Sequence, residues 1–110
     1  MAGFNQELGL VPGDDGASVV LDTRPEHEVV PGTVHFAVLA TVAEVSAAQA
    51  VGAGVVPASV TLNLLSRAGS GRLVGRGRVL RHGRRLAVAE GEVSQGERLV
   101  AKAVVTFALV

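Results

Sequence analysis

Hydrophobic and polar positions alternate along the second half of the chain with the period of two that is typical of β-strands. Four runs show this alternation, namely 59–65, 73–80, 85–93 and 98–110. The pairs His82-Gly83 and Gln95-Gly96 separate the last three runs and are typical of tight hairpin turns. The pattern therefore predicts four antiparallel strands in the second half.

The first half has a different pattern. Residues 36–51 are rich in alanine, contain neither Gly nor Pro, and end at Gly52, which predicts one long helix. This helix is apolar on nearly all sides, so we expect it to be buried on most of them. Before it, 17–22 reads as a short strand, whereas 23–27 and Pro31-Gly32 read as turns.

The predicted order is a strand, a buried helix and four antiparallel strands, which is an α+β fold with a sheet of about five strands. Because such a helix cannot turn one face to water, either the sheet curls around it or a partner covers it. The chain has 110 residues, which suits one domain over 1–110, with 1–15 as a lead-in segment.

Composition excludes several function classes. The only aromatic residues are three phenylalanines, too few for the base-stacking platforms of many nucleic-acid-binding proteins. There is no Cys, which excludes disulfides, thiolate nucleophiles and cysteine zinc sites. The three histidines are widely spaced, so no metal site is predicted. Residues 1–10 lack the features of a signal peptide, and Gly and Pro break the long uncharged stretch 45–66, so we expect a cytoplasmic protein without membrane spans.

The formal net charge is zero, but the charges are unevenly distributed. Acidic residues dominate 1–28, and 67–85 contains seven arginines and no acidic residue. A block of this kind is a candidate anion-binding surface, although arginines on exposed strands also serve solubility alone.

Glu44 and His35 are the candidate catalytic residues. Glu44 is the only acidic residue between Val29 and Ser66 and lies within the buried helix. A carboxylate is unfavourable in such surroundings, so its presence there points to a specific role. His35 immediately precedes the helix, where the backbone amides of Phe36 and Ala37 are expected to be unpaired donors and to form an oxyanion site. Glu44 and Phe36 are about 12 Å apart along a helix, so joint action on one carbonyl requires a two-fold dimer with antiparallel helices.

The run from Gly32 to Glu44 resembles the H-G-G-x5-L-x-[DE] signature of hotdog-fold acyl-CoA thioesterases, of the phenylacetate-degradation-like group. His35 and Glu44 have the nine-residue spacing of that signature. The resemblance continues through the later strands and covers roughly residues 16–110. It implies a long helix wrapped by a curved antiparallel sheet of about five strands, and homodimers that form a continuous sheet and in some members pair into tetramers.

The resemblance also implies roles for residues. The Glu44 carboxylate would act as nucleophile or general base on a thioester, the Phe36 amide would polarise the carbonyl, and His35 would place or protonate the leaving sulfur. Phe36 and Ala37 replace the usual Gly-Gly pair, so a bulky ring lies where the thioester normally passes. Water would be positioned by other polar side chains, with Thr41, Ser46 and Asn63 as candidates.

These observations predict an acyl-CoA thioesterase with shared sites in a homodimer and no cofactor beyond the coenzyme A of its substrate. A rim site at the hairpin tip would bind the nucleotide phosphates through Arg side chains, and we assign Arg81, His82, Arg84 and Arg85 to it. We assign Ala37, Thr41 and Asn63 to the remainder of the substrate site. Two alternatives stay open: hydrolysis of acyl groups on a carrier protein, and a non-catalytic acyl-CoA-binding dimer.

Overall fold

The computed structural model of the chain describes residues 3–110. The helices are α1 (Phe4–Leu8) and α2 (Phe36–Val51), and Pro25–His27 forms one turn of 3-10 helix. The strands are β1 (Val11–Pro12), β2 (Ser18–Asp22), β3 (Glu28–Val30), β4 (Thr33–Val34), β5 (Val55–Leu64), β6 (Arg72–His82), β7 (Leu86–Gln95) and β8 (Arg98–Leu109).

Six of the strands form one antiparallel sheet in the order β1-β2-β6-β7-β8-β5, and β3 pairs with β4 in a separate hairpin. The predicted α+β class, the long helix and the four later strands are confirmed. The sheet has one strand more than expected, because β1 adds to its edge from within the lead-in segment.

Strand β5 begins at Val55, four residues before the predicted start at Ser59. Pro57 lies within the strand, where the register with β8 shifts between Pro57 and Ser59. Proline is tolerated there because β5 is an edge strand of the sheet and a residue in a bulge need not donate its amide to the neighbouring strand.

Helix α2 lies directly on three glycines of the sheet. A Cβ added at Gly75 would be 2.8 Å from the Val42 side chain, and one at Gly91 would be 2.8 Å from the Ala43 carbonyl carbon. At Gly77 it would be 2.7 Å from the Ser46 carbonyl carbon. Real Cβ atoms almost never come this close. Gly77 and Gly91 face helix backbone atoms and therefore admit glycine alone at the observed helix-to-sheet spacing, whereas Gly75 faces side chains of α2 that would have to move.

The core between helix and sheet is built from small and medium residues. Val42, Ala43 and Ala47 of α2 are fully buried, and so are Leu73 and Phe107 of the sheet. Leu8 and Leu10 of the lead-in segment pack against this core from outside. The chain therefore buries the helix with its own sheet on one side only, and the opposite side of α2 remains partly exposed.

The face of the sheet that points away from the helix carries the ion pairs. Glu90 is buried beneath Arg78, at 2.6 Å, and Lys102, at 3.2 Å, and these cations lower the pKa of its carboxyl. Arg76 pairs with Asp15 at 2.7 Å and Arg72 with Asp22 at 2.8 Å. Three arginines of the basic block therefore bind carboxylates of the chain itself.

No helix within residues 3–110 is long and apolar enough to cross a membrane.

Candidate functional site

His35 caps the N-terminus of α2 with its imidazole ring. Its Nδ1 accepts a hydrogen bond from the Ala37 amide at 3.0 Å, and its carbonyl accepts one from the Val38 amide at 3.0 Å. Since Nδ1 is the acceptor, the neutral ring carries its proton on Nε2, which is free to donate to a ligand. The expectation that the Ala37 amide is a free donor is wrong, because the histidine occupies it.

The Phe36 amide is the donor that remains at this helix end. Within residues 3–110 it makes no hydrogen bond. A free amide at the first turn of a 16-residue helix points along the positive end of the helix dipole. The predicted oxyanion site therefore consists of the single amide of Phe36.

The segment before His35 is fixed by two residues that the sequence analysis did not single out. His27 is buried, its carbonyl accepts from the His35 amide at 2.8 Å, and its Nδ1 accepts from the Arg24 amide at 2.9 Å. The Glu28 carboxylate accepts from the Gly32 amide at 2.7 Å and from the Ser70 hydroxyl at 3.0 Å, and these bonds lower its pKa. In the sequence, Pro25 is the feature that could have indicated this ordered segment, because proline favours the first turn of a helix.

Phe36 does not enter the core. Its side chain is 56% exposed, and its ring stacks on His35 with centroids 4.7 Å apart and an interplanar angle of 29°. The ring therefore forms one wall of the space beside the helix N-terminus.

Glu44 lies on the side of α2 that faces away from the sheet, beside Ala37, Ala40, Thr41 and Ala48. Within the described chain it makes no ion pair or hydrogen bond, and burial raises the pKa of its carboxyl. The neighbours are small, so the carboxylate is accessible between them. The site therefore offers an unpartnered carboxylate whose protonated form is favoured more than usual.

The candidates for positioning water separate into three cases. Thr41, one turn before Glu44, donates its hydroxyl to the Ala37 carbonyl at 2.8 Å and keeps its oxygen as an acceptor. Ser46 is buried against the sheet and donates to the Val42 carbonyl at 2.7 Å, so it cannot serve the Glu44 side of the helix. Asn63 pairs in register with Lys102 on the outer face of the sheet, so its placement in the substrate site of its own subunit is wrong.

The hairpin tip of Arg81, His82, Arg84 and Arg85 lies at the end of the subunit opposite to His35. Gly75 and Gly77 of β6 contact successively later residues of α2, so β6 and α2 run in the same direction. The tip follows the end of β6, about 30 Å along the strand from its start beside the helix N-terminus. The tip cannot serve the helix N-terminus of its own subunit, but it remains available to a second copy.

A surface cavity of about 320 Å³ opens beside the helix N-terminus. It lies between Phe36 and the segment that follows β5. Its apolar lining consists of Val34, Phe36, Leu39, Leu64, Leu65 and Ala68, and its polar lining of Thr33, Ser66 and Arg67. The cavity was not predicted, because it depends on how residues 65–68 turn back towards β4.

No group of three metal-ligating side chains that could hold an ion occurs in the part of the chain that the structure describes.

Comparison with known proteins places this geometry in a family. Residues 24–108 match the family model described as the acyl-CoA thioesterase N-terminal domain. None of the curated proteins matches this chain.

Solved structures share the fold over 96% to 100% of the chain. The conserved protein PA5202 from Pseudomonas aeruginosa is 29% identical with a TM-score of 0.89, and the match covers 100% of this chain and 95% of that protein. A phenylacetic acid degradation-related protein from Ralstonia eutropha JMP134 is 28% identical with a TM-score of 0.78, covering 96% and 88%. BH2602 from Bacillus halodurans, solved with CoA, is 19% identical with a TM-score of 0.88, covering 100% and 78%. The chain is therefore a member of the hotdog-fold acyl-CoA thioesterase family.

Proposed function

We propose that the protein hydrolyses acyl-CoA thioesters, with Glu44 as the reacting carboxylate and the Phe36 amide of the partner subunit as the oxyanion donor. The observation that carries the proposal is the unpartnered carboxylate of Glu44 on the open side of α2. A carboxylate without a stabilising partner has no structural role to explain it, and membership of a thioesterase family supplies a chemical one.

The reaction needs three groups. The Glu44 carboxylate attacks the thioester carbon, or takes a proton from a water that does so. The negative charge that develops on the carbonyl oxygen is stabilised by the Phe36 amide at the positive end of the helix dipole. His35 would donate its Nε2 proton to the departing sulfur, a role supported by the hydrogen bond from the Ala37 amide to Nδ1.

One subunit cannot bring these groups together. Glu44 lies eight residues beyond Phe36 in a continuous helix, which corresponds to about 12 Å. A carboxylate that attacks the carbonyl must lie within about 3 to 3.5 Å of it, and one bridging water extends this reach by only about 3 Å. A second copy must therefore complete each site.

Strand β5 supplies a route to such a dimer. It has ten residues and is an edge strand of the sheet, so its outer edge is unpaired within residues 3–110. A two-fold axis perpendicular to the sheet at β5 would pair it antiparallel with its copy and leave both helices on the same face. The helices would then run antiparallel, which turns Glu44 of each subunit towards the helix N-terminus of the other.

The same two-fold axis also provides a binding surface for coenzyme A. Because the axis reverses the direction of the partner, the partner's hairpin tip lies at the His35 end of this subunit. Arg81, Arg84 and Arg85 make no ion pair within the described residues, and their guanidinium groups suit the phosphates of coenzyme A. The related protein from Bacillus halodurans was solved with CoA, which supports a nucleotide-bearing substrate. Pairing of dimers into a tetramer belongs to the same proposal.

The first experiment measures hydrolysis of a panel of acyl-CoAs by the wild type and by Glu44→Gln. Glu44→Gln should lower kcat by at least about a hundredfold with little change in substrate binding. The matched control is Glu92→Gln on the outer face of the sheet, which should retain wild-type activity. Equal loss in both variants, or full activity in Glu44→Gln, would contradict the assignment.

A mixed dimer tests whether the sites are shared. Glu44→Gln and His35→Ala subunits are unfolded together and refolded, so that half of the dimers contain one of each. Shared sites would place both lesions in one site and leave the other intact, so activity should return to about a quarter of the wild-type value. If each subunit holds a complete site, the mixture stays as inactive as its components.

A carrier-protein substrate is the second candidate, supported by the same free arginines, which suit an acidic protein surface. Acyl carrier protein thioesters assayed beside acyl-CoAs distinguish the two. Hydrolysis of the carrier-bound substrate alone would favour the second candidate.

A further inference from the structure

Arg67 lines the cavity beside the helix N-terminus, away from the ion pairs on the outer face of the sheet. Arg72, Arg76 and Arg78 each bind a carboxylate, whereas Arg67 makes no ion pair within residues 3–110. Its Nε donates to the neutral Thr33 hydroxyl at 2.6 Å. The two terminal nitrogens of the guanidinium are therefore held in place without a charged partner.

The guanidinium is held at the cavity beside the helix N-terminus. Arg67 and Phe36 line the same cavity, and most of the wall between them is apolar. The backbone around Arg67 is tied down, because its carbonyl accepts from the Arg98 side chain at 2.7 Å and the next carbonyl, of Ala68, accepts from the Val34 amide at 2.9 Å. The site thus combines a fixed cation with a short apolar surface.

Glu28, the acidic residue of the adjoining hairpin, makes no ion pair with Arg67. Its carboxylate accepts hydrogen bonds from the Gly32 amide and the Ser70 hydroxyl instead. The terminal nitrogens of Arg67 remain available to an anion that enters the cavity.

Distance decides which part of the substrate reaches Arg67. Thr33, which binds Arg67, is three residues from Phe36, so their Cα atoms are at most about 11 Å apart. The pantetheine arm separates the thioester sulfur from the nearest phosphate by about 13 bonds, or on the order of 15 Å when extended. A thioester carbonyl at Phe36 therefore places its own acyl group within reach of Arg67, and an extended arm carries the phosphates beyond it.

We infer that the cavity holds the acyl group and that Arg67 selects short acyl chains ending in a carboxylate, such as the half-thioesters of four- to six-carbon dicarboxylic acids. This inference rests on the proposed thioesterase function and names its substrate class. The volume of about 320 Å³ is at the small end of ligand cavities, which suits a short chain. A guanidinium matches a carboxylate by two parallel hydrogen bonds.

The test compares glutaryl-CoA with pentanoyl-CoA, which have the same carbon count and differ in the terminal carboxylate. The proteins are the wild type, Arg67→Met, and Arg76→Met as a matched control on the outer face of the sheet. We expect wild-type kcat/KM to favour glutaryl-CoA by roughly 10- to 100-fold, the range for one charge-assisted hydrogen bond. Arg67→Met should abolish this preference by lowering kcat/KM for glutaryl-CoA far more than for pentanoyl-CoA, and Arg76→Met should behave as wild type.

Three results would overturn the inference: no wild-type preference for glutaryl-CoA, a preference that survives in Arg67→Met, or an equal loss of both substrates in that variant. The last would assign Arg67 to coenzyme A. Calorimetry measures the binding of both thioesters to Glu44→Gln, with and without Arg67→Met. It distinguishes failure of the Arg67 inference from failure of the proposed thioesterase function. Carboxylate-dependent binding without hydrolysis by the wild type would retain the site and reject the catalytic proposal.

Discussion

Gly91 offers a direct test of how closely the helix is pressed onto the sheet. An added Cβ at this position would overlap the Ala43 carbonyl oxygen and lie 2.8 Å from the Ala43 carbonyl carbon and 3.1 Å from its Cα. Ordinary contacts of a Cβ begin at about 3.4 Å. All three atoms belong to the helix backbone, so no side chain can rotate away and α2 itself must move.

The magnitude follows from that geometry. Inserting a methyl group into a packed core typically costs about 1 to 3 kcal/mol. The destabilisation by Gly91→Ala should be at or above the upper end of this range, because the element that must move is a 16-residue helix with contacts to several strands. We expect a loss of about 3 kcal/mol or more in the free energy of unfolding, seen as a lower urea midpoint with an unchanged slope.

Gly69→Ala is the matched control. A Cβ there would be 3.6 Å from the Gly32 carbonyl oxygen, an ordinary contact, and the backbone needs no positive φ. This substitution should leave stability unchanged or raise it by about 0.4 to 1 kcal/mol through the unfolded state. Equal stability of Gly91→Ala and wild type would refute the reasoning, since it would show that α2 can shift without cost.

Other predictions concern the charged groups. Burial raises the pKa of Glu44, so its ionised form opposes folding: Glu44→Gln should raise Tm at pH 7, and the difference should disappear below the ordinary Glu pKa, where both states are protonated. The pKa of Glu28 is lowered instead, so its contribution exists above its unfolded pKa and is lost on acidification; Glu28→Gln should lower Tm at pH 7 and match the wild type in strong acid. Glu90→Gln removes the buried partner of Arg78 and Lys102 and should cost about 1 to 2 kcal/mol in urea unfolding.

Periodicity predicted most of the fold. The period-two runs became β5 to β8, and the Ala-rich run became α2 with its end at Gly52, because local pattern and burial agree in these elements. Helix α1 and strand β1 were missed, since five and two residues are too short for any period to show. Their formation depends on the surface that β2 and α2 offer them.

The site was only partly predictable. Glu44 and His35 stood out by residue type and position. The hydrogen bond from the Ala37 amide to the His35 imidazole could not be predicted, because it depends on the side-chain rotamer of His35. The position of Asn63 on the outer face was readable from the same alternation that predicted β5, since its neighbours Leu62 and Leu64 are the inward residues. The partners of the arginines and the cavity at Arg67 required cross-strand register and a loop path, which no local pattern encodes.

The small residues of the core leave no space for a ligand between helix and sheet. Gly75, Gly77 and Gly91 bring α2 directly against the sheet. The cavity lies instead at the helix end, outside the helix–sheet interface.

The free edge of β5 places assembly in competition with aggregation. Its main-chain groups can pair with any exposed strand, and its one proline lies near the beginning, so 59–64 offers an unguarded edge. A nascent or unfolded chain that reaches this edge before a folded copy does would block it with a mismatched strand. Recovery of active protein should therefore depend on the order of events during refolding, with slow folding at low concentration followed by concentration giving more dimer than rapid refolding of a crowded sample.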